Sequence, residues 1–67
     1  MKKISVSLSG HQTSISLEDD FVMALNIIAK QDHVSVASII QEIDSKRAPN
    51  TNLSSAVRTY ILRRYMK

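Results

Sequence analysis

From Lys3 to Leu17 polar and apolar side chains alternate along the chain with one interruption. Ile4, Val6 and Leu8 fall on one side of an extended strand and Lys3, Ser5 and Ser7 on the other. After Ser9-Gly10 the alternation resumes, with Thr13, Ile15 and Leu17 opposed to Gln12, Ser14 and Ser16. A two-residue break that contains glycine is a hairpin signal. Closing the chain on it sets Leu8 opposite His11, Val6 opposite Thr13 and Ile4 opposite Ile15, while Ser5 meets Ser14 on the polar side. Pattern and loop length agree on this register, so a hairpin over residues 2–17 with one apolar face is expected.

Beyond Leu17 the period changes from two to that of a helix. Glu18, Asp19 and Asp20 stand where the positive end of a helix dipole favours negative charge. Phe21, Leu25 and Ile28 then recur at helical spacing, widened by Ala24 and Ala29, and the stripe fades at Gln31-Asp32-His33, which gives a helix over 19–31. Ser35 is placed to cap a second helix, 35–46, whose apolar stripe is Val36, Ile39, Ile40 and Ile43. The run SKRAPNT, with the only proline, ends that pattern. Asn52 is placed to cap a third helix, 52–66, with Leu53, Ala56, Val57, Tyr60 and Ile61 as its buried stripe. Leu62, Tyr65 and Met66 are left over; they either complete a dimer core or dock a protein partner. The class is α+β, a hairpin followed by three helices in one domain, 1–67.

Sixty-seven residues enclose only a small core, and there is no cysteine to reinforce it. His11 and His33 lack the paired ligands of a metal site, and His11 reads as a strand-end residue packed beside the turn. Oligomerisation through an unpaired strand edge remains, so a homodimer is expected. No apolar run approaches the roughly 20 residues that span a bilayer, and no apolar signal core follows Lys2 and Lys3. A cytoplasmic protein with no membrane partner is expected.

Charge is segregated along the chain. The first seventeen residues carry Lys2 and Lys3 and no acid, all six acids lie between Glu18 and Asp44, and everything charged after Ser45 is basic, for a net charge of +3. Basic ends flank an acidic middle. On the third helix Arg58, Arg63, Arg64 and Lys67 either hold a phosphate backbone or keep the surface solvated. Catalysis is not expected: Ser5, Ser7, Ser9, Ser14 and Ser16 lack a histidine and carboxylate at triad spacing, adjacent Asp19 and Asp20 diverge on a helix, and no glycine-rich phosphate loop exists. No cofactor is expected either.

With strand, helix, turn and capped second helix in order, the segment Gln12–Ile43 resembles the ribbon-helix-helix superfamily of small bacterial repressors and antitoxins. The whole chain looks like a subfamily of ribbon-helix-helix domain proteins with an added N-terminal strand and C-terminal helix. Three segments carry the likeness: Gly10 to Asp19 (GHQTSISLED), Ser35 to Asp44 (SVASIIQEID) and Asn52 to Arg58 (NLSSAVR). The resemblance implies an intertwined homodimer whose antiparallel ribbon enters the DNA major groove of a regulated site. It makes Gln12, Ser14 and Ser16 the base contacts. Phosphate contacts would come from the N-terminus of the second helix at Val34, Ser35 and Val36, with Lys2 and Lys3 on the ribbon. The alternative it allows is a dimeric protein-interaction module, antitoxin- or adaptor-like, whose third helix binds a partner.

Three positions depart from the family pattern. The reading strand has no arginine or lysine, His33 stands where glycine is common between the helices, and Glu18 replaces a frequent proline. The added strand Lys3–Leu8 also makes a four-stranded sheet in any dimer that pairs the ribbons, wider than the two strands that a groove of about 12 Å admits.

Overall fold

The computed structural model describes residues 1–66; Lys67, expected to add charge at the end of the third helix, lies outside the described residues. Strands β1 (Lys2–Leu8) and β2 (His11–Leu17) form an antiparallel hairpin, followed by helices α1 (Asp19–Asp32), α2 (Val36–Lys46) and α3 (Leu53–Tyr65). The α+β class is the one that the alternation indicates. Pairing follows the expected register: Ile4 faces Ile15, Val6 faces Thr13 and Leu8 faces His11, while Lys3, Ser5 and Ser7 face Ser16, Ser14 and Gln12. The partner strand of β2 is thus supplied by the same chain.

At the hairpin tip Ser9 (φ 51°) and Gly10 (φ 83°) both lie at positive φ. A type I′ turn requires this of its two central residues, and its twist matches that of the strands it joins. The turn is also held from outside. Ser9 N–H donates to Gln41 Oε1 (3.0 Å) and Gln41 Nε2 donates to Ser9 Oγ (3.4 Å), so the middle of α2 grips the tip of the ribbon.

The apolar face of the hairpin contributes Val6, Leu8, Ile15 and Leu17 to the core. Against it pack Leu25, Ile28 and Ala29 of α1, Ile39, Ile40 and Ile43 of α2, and Val57 and Ile61 of α3. Leu17, Leu25, Ile28, Ile40 and Val57 are fully enclosed, and no polar side chain is buried among the described residues. Removing each such side chain from water stabilises the fold by about 1.5–3 kcal/mol. Thr13, although on the same parity, is exposed; it lines an open cleft beside the end of α2 and the start of α3, with Asp44, Arg47 and Leu53.

The helix ends follow their local chemistry. Ser35 and Asn52 cap α2 and α3, their side chains accepting from Ser38 N–H (3.0 Å) and Ser55 N–H (3.2 Å). At the end of α1, His33 adopts the left-handed conformation (φ 57°, ψ 42°). His33 N–H donates to Lys30 O and Val34 N–H to Ala29 O, the two bonds of a Schellman motif whose left-handed residue is usually glycine. No helix among the described residues is long and apolar enough to cross a membrane.

Candidate nucleic-acid interface

With the apolar face of the hairpin spent on the core, its other face points away from the helices. Lys3, Ser5, Ser7, Gln12, Ser14 and Ser16 are all exposed there, arranged in the cross-strand rows Lys3–Ser16, Ser5–Ser14 and Ser7–Gln12. Neither strand carries a carboxylate. Paired strands lie about 4.8 Å apart. A two-stranded ribbon therefore fits a major groove about 12 Å wide.

The three side chains expected on β2 thus share their surface with three from β1. The cross-strand register carries that signal, because a hairpin that places Ser5 against Ser14 places both strands' polar residues on one face. Gln12 stands next to the turn, where two donors and an acceptor on one amide are free to meet a base edge. Ser16 lies at the anchored end, its carbonyl accepting from Arg58 Nη2 at 3.5 Å. Lys2 faces Leu17 across the open end of the hairpin, and its side chain is exposed on the opposite face of the strand from that of Lys3.

Val34, Ser35 and Val36 form the entry to α2. Val34 N–H is committed to Ala29 O (3.0 Å), and Ser38 N–H to the Ser35 hydroxyl. First-turn N–H groups have no carbonyl one turn back, so those of Val36 and Ala37 are the ones that remain directed outward. The contact between α2 and the turn is made through Gln41, about 9 Å along the axis from Ser35. Polar ribbon and helix terminus are therefore two separate features of one chain.

Two of the arginines on α3 have roles that spacing did not reveal. Arg58 Nε donates to Glu18 Oε1 (2.9 Å), with its guanidinium 6.0 Å from the Phe21 ring centroid. Arg64 binds Asp32 through both terminal nitrogens (2.8 and 2.5 Å) and also reaches the Tyr60 hydroxyl (3.2 Å). These hydrogen bonds hold the Glu18 and Asp32 carboxyls below their ordinary values and push the Arg64 guanidinium up. Both arginines fasten α3 to the two ends of α1. Arg47 fastens the loop before α3 in the same way, donating to Asp44 Oδ1 (2.8 Å) and to Thr51 O (2.5 Å).

Glu18, in the place of the family's frequent proline, makes no side-chain cap to α1 and serves instead as the acceptor for Arg58. A cleft of about 670 Å³ lies between α2 and α3, with Lys46, Arg47, Arg63 and Arg64 among its lining residues. Among the described residues no three His, Asp or Glu side chains gather into a group that could hold a metal ion. Leu62, Tyr65 and Met66 are exposed on the last turn of α3.

Neither the curated proteins nor the solved structures compared gave a match. The ribbon-helix-helix domain model, in contrast, matches residues 1–65, from the first strand to the last turn of α3, and the chain belongs to that family.

Proposed function

We propose that this protein is a small DNA-binding regulator that inserts the polar face of its hairpin into the major groove. Domains of this family are commonly DNA-binding transcription regulators or antitoxins, and typically dimerise. The observation that carries the reading is the ribbon itself: two strands, six outward polar or basic side chains, and no acid. Gln12 is the strongest candidate for base discrimination, since a glutamine amide can bond adenine with both its groups; Ser5, Ser7, Ser14 and Ser16 supply short, less selective contacts. Lys2 and Lys3 neutralise phosphates at the open end. The N-terminus of α2, entered through Val34 and Ser35, offers the backbone N–H groups of Val36 and Ala37 to another phosphate, that of Val34 being already bonded to Ala29 O.

The test is selection of binding sites from a randomised duplex pool, followed by titration across salt. Two lysines per ribbon give a slope of log K against log salt of about −2 for one chain and about −4 for two acting together. Gln12→Ala should lower discrimination at one position by about 1–3 kcal/mol. Replacing Lys2 and Lys3 by glutamine should instead weaken binding to all sequences alike. Absence of any retarded complex at low salt, from the pool or from the gene's own upstream region, would sink the proposal.

A second reading, a protein-interaction module of the antitoxin or adaptor kind, is favoured by exposed Leu62, Tyr65 and Met66. It calls for binding that survives high salt and is lost on Leu62→Ser, with the ribbon variants silent.

A further inference from the structure

The packing of α2 against α3 leaves the cleft of about 670 Å³ between them, where the loop 47–52 that joins the two helices supplies Ala48 and Thr51 as one wall. Ile43, Ala56 and Tyr60 give it apolar surface. Charge around it is one-sided: four cations, Lys46, Arg47, Arg63 and Arg64, stand against a single acid, Glu42. Clefts of about 300–1,000 Å³ with a mostly apolar wall and a few convergent polar groups are the ordinary form of a small-molecule site.

Two of the four cations are already committed. Arg47 donates to Asp44 and to Thr51 O, which ties the loop wall to α2, and Arg64 is held by Asp32 and reaches the Tyr60 hydroxyl, which steadies that ring. These bonds set the shape of the cleft before anything enters it, and a preformed site loses less on binding. The other two cations remain for a ligand. Arg63 is exposed and takes part in no ion pair among the described residues. Lys46 meets Glu42 at 3.4 Å with side chains 75% and 63% exposed, a solvated pair that contributes little and exchanges readily for another anion. One unpaired guanidinium and one loosely paired ammonium match a single negative charge, and the apolar wall beside them matches hydrocarbon.

We infer that the α2–α3 cleft binds a small organic acid, one carboxylate on an apolar body. Arg63 holds the carboxylate with Lys46 as second cation, and the body lies on Ile43, Ala56 and Tyr60. A guanidinium suits this role because its planar fork of donors meets both carboxylate oxygens. The site uses no residue of the ribbon and does not depend on the DNA-binding reading.

Amide correlation spectra by NMR test it, recorded on the full chain without DNA at fixed ionic strength during titration with octanoate, octanol and octylammonium, which share a hydrocarbon chain and differ in charge. Octanoate should shift the amides of Ala48, Thr51, Ala56 and Thr59 saturably, with a Kd in the millimolar range, and leave those of Lys2 and Lys3 in place. Octanol and octylammonium should bind about fivefold or more weakly. Arg63→Gln should bring octanoate down to the affinity of octanol, and Arg63→Glu should make octylammonium the tighter ligand. The position is exposed, and the same spectra show that each variant folds. Absence of saturable shifts at tens of millimolar octanoate, as for a cleft covered by a second chain, would overturn the inference. So would shifts centred away from the cleft, equal affinity for octanol, or a preference for octanoate that survives Arg63→Glu.

Discussion

Gly10→Ala isolates the backbone cost of the turn that sets the ribbon. The residue sits at φ 83°, and a methyl group added there would meet nothing within 4 Å, so the substitution introduces no clash. The penalty is conformational: an L-residue in the left-handed region loses about 1–2 kcal/mol. Alanine returns part of this, about 0.4–1 kcal/mol, by restricting the unfolded chain. The net loss should be about 1 kcal/mol. A domain of this size is stable by about 3–10 kcal/mol, and each kcal/mol moves its melting temperature by about 4–8 °C. Urea unfolding followed by circular dichroism should therefore show a lower midpoint with an unchanged slope. Ser9→Asn is the control of opposite sign. Asparagine tolerates positive φ better than serine, and of the two bonds to Gln41 only the long one to the Ser9 hydroxyl (3.4 Å) is lost while the backbone N–H bond stays, so a gain of no more than a few tenths of a kcal/mol is expected. A Gly10→Ala variant as stable as the parent would refute the type I′ geometry. A loss above about 3 kcal/mol would refute the open space around the turn, because strain of the backbone alone does not reach it.

The second left-handed position should respond in the reverse direction. His33→Gly relieves the same strain at the end of α1, where the side chain makes no hydrogen bond among the described residues, and should stabilise by about 0.5–1 kcal/mol in the same urea assay. Asp32→Asn removes the acceptor of Arg64. Because the Asp32 carboxyl is held below its ordinary value of 3.8, its contribution is present above that value and lost as pH falls through the lowered one. The variant should accordingly melt below the wild type at pH 7, and the gap should narrow as pH drops beneath 3.8; a gap that is constant with pH would refute the pairing.

Period and cap chemistry are local, and what depends on them could be read from the chain alone. The strand register, the Ser35 and Asn52 caps and the stripe of Ile39, Ile40 and Ile43 each rest on residues only a few positions apart. The polar face was readable for the same reason, since once Ser5 is set against Ser14 the remaining outward side chains follow. Gln41 was not, because nothing in an amphipathic helix marks one half-buried glutamine as the clasp of a turn 32 residues away. Thr13 illustrates the converse limit: parity says which way a side chain points, but whether it is covered depends on how closely the ends of α2 and α3 approach the sheet, and there they leave a cleft.

Charge shows most clearly how folding rewrites a sequence pattern. Read linearly, six acids in the middle and six bases at the C-terminal end look like two opposed fields, the second suited to a polyanion. In three dimensions the two blocks close on each other. Glu18 meets Arg58 across 40 residues and Asp32 meets Arg64 across 32, so that α3 is fastened at both ends of α1 by side chains that otherwise would have faced solvent. Arg47 and Lys46 find Asp44 and Glu42 within one helical turn. The basic C-terminal block is thus largely neutralised by the acidic middle, and its arginines act as fasteners before they can act as phosphate ligands. Among the described residues the N-terminal pair takes part in no ion pair, and neither strand carries an acid. On the proposed reading, the charge offered to a polyanion is that of Lys2 and Lys3, on the ribbon whose polar face carries Gln12, Ser14 and Ser16. The weaker of the two basic ends by count is the one that supports the nucleic-acid reading.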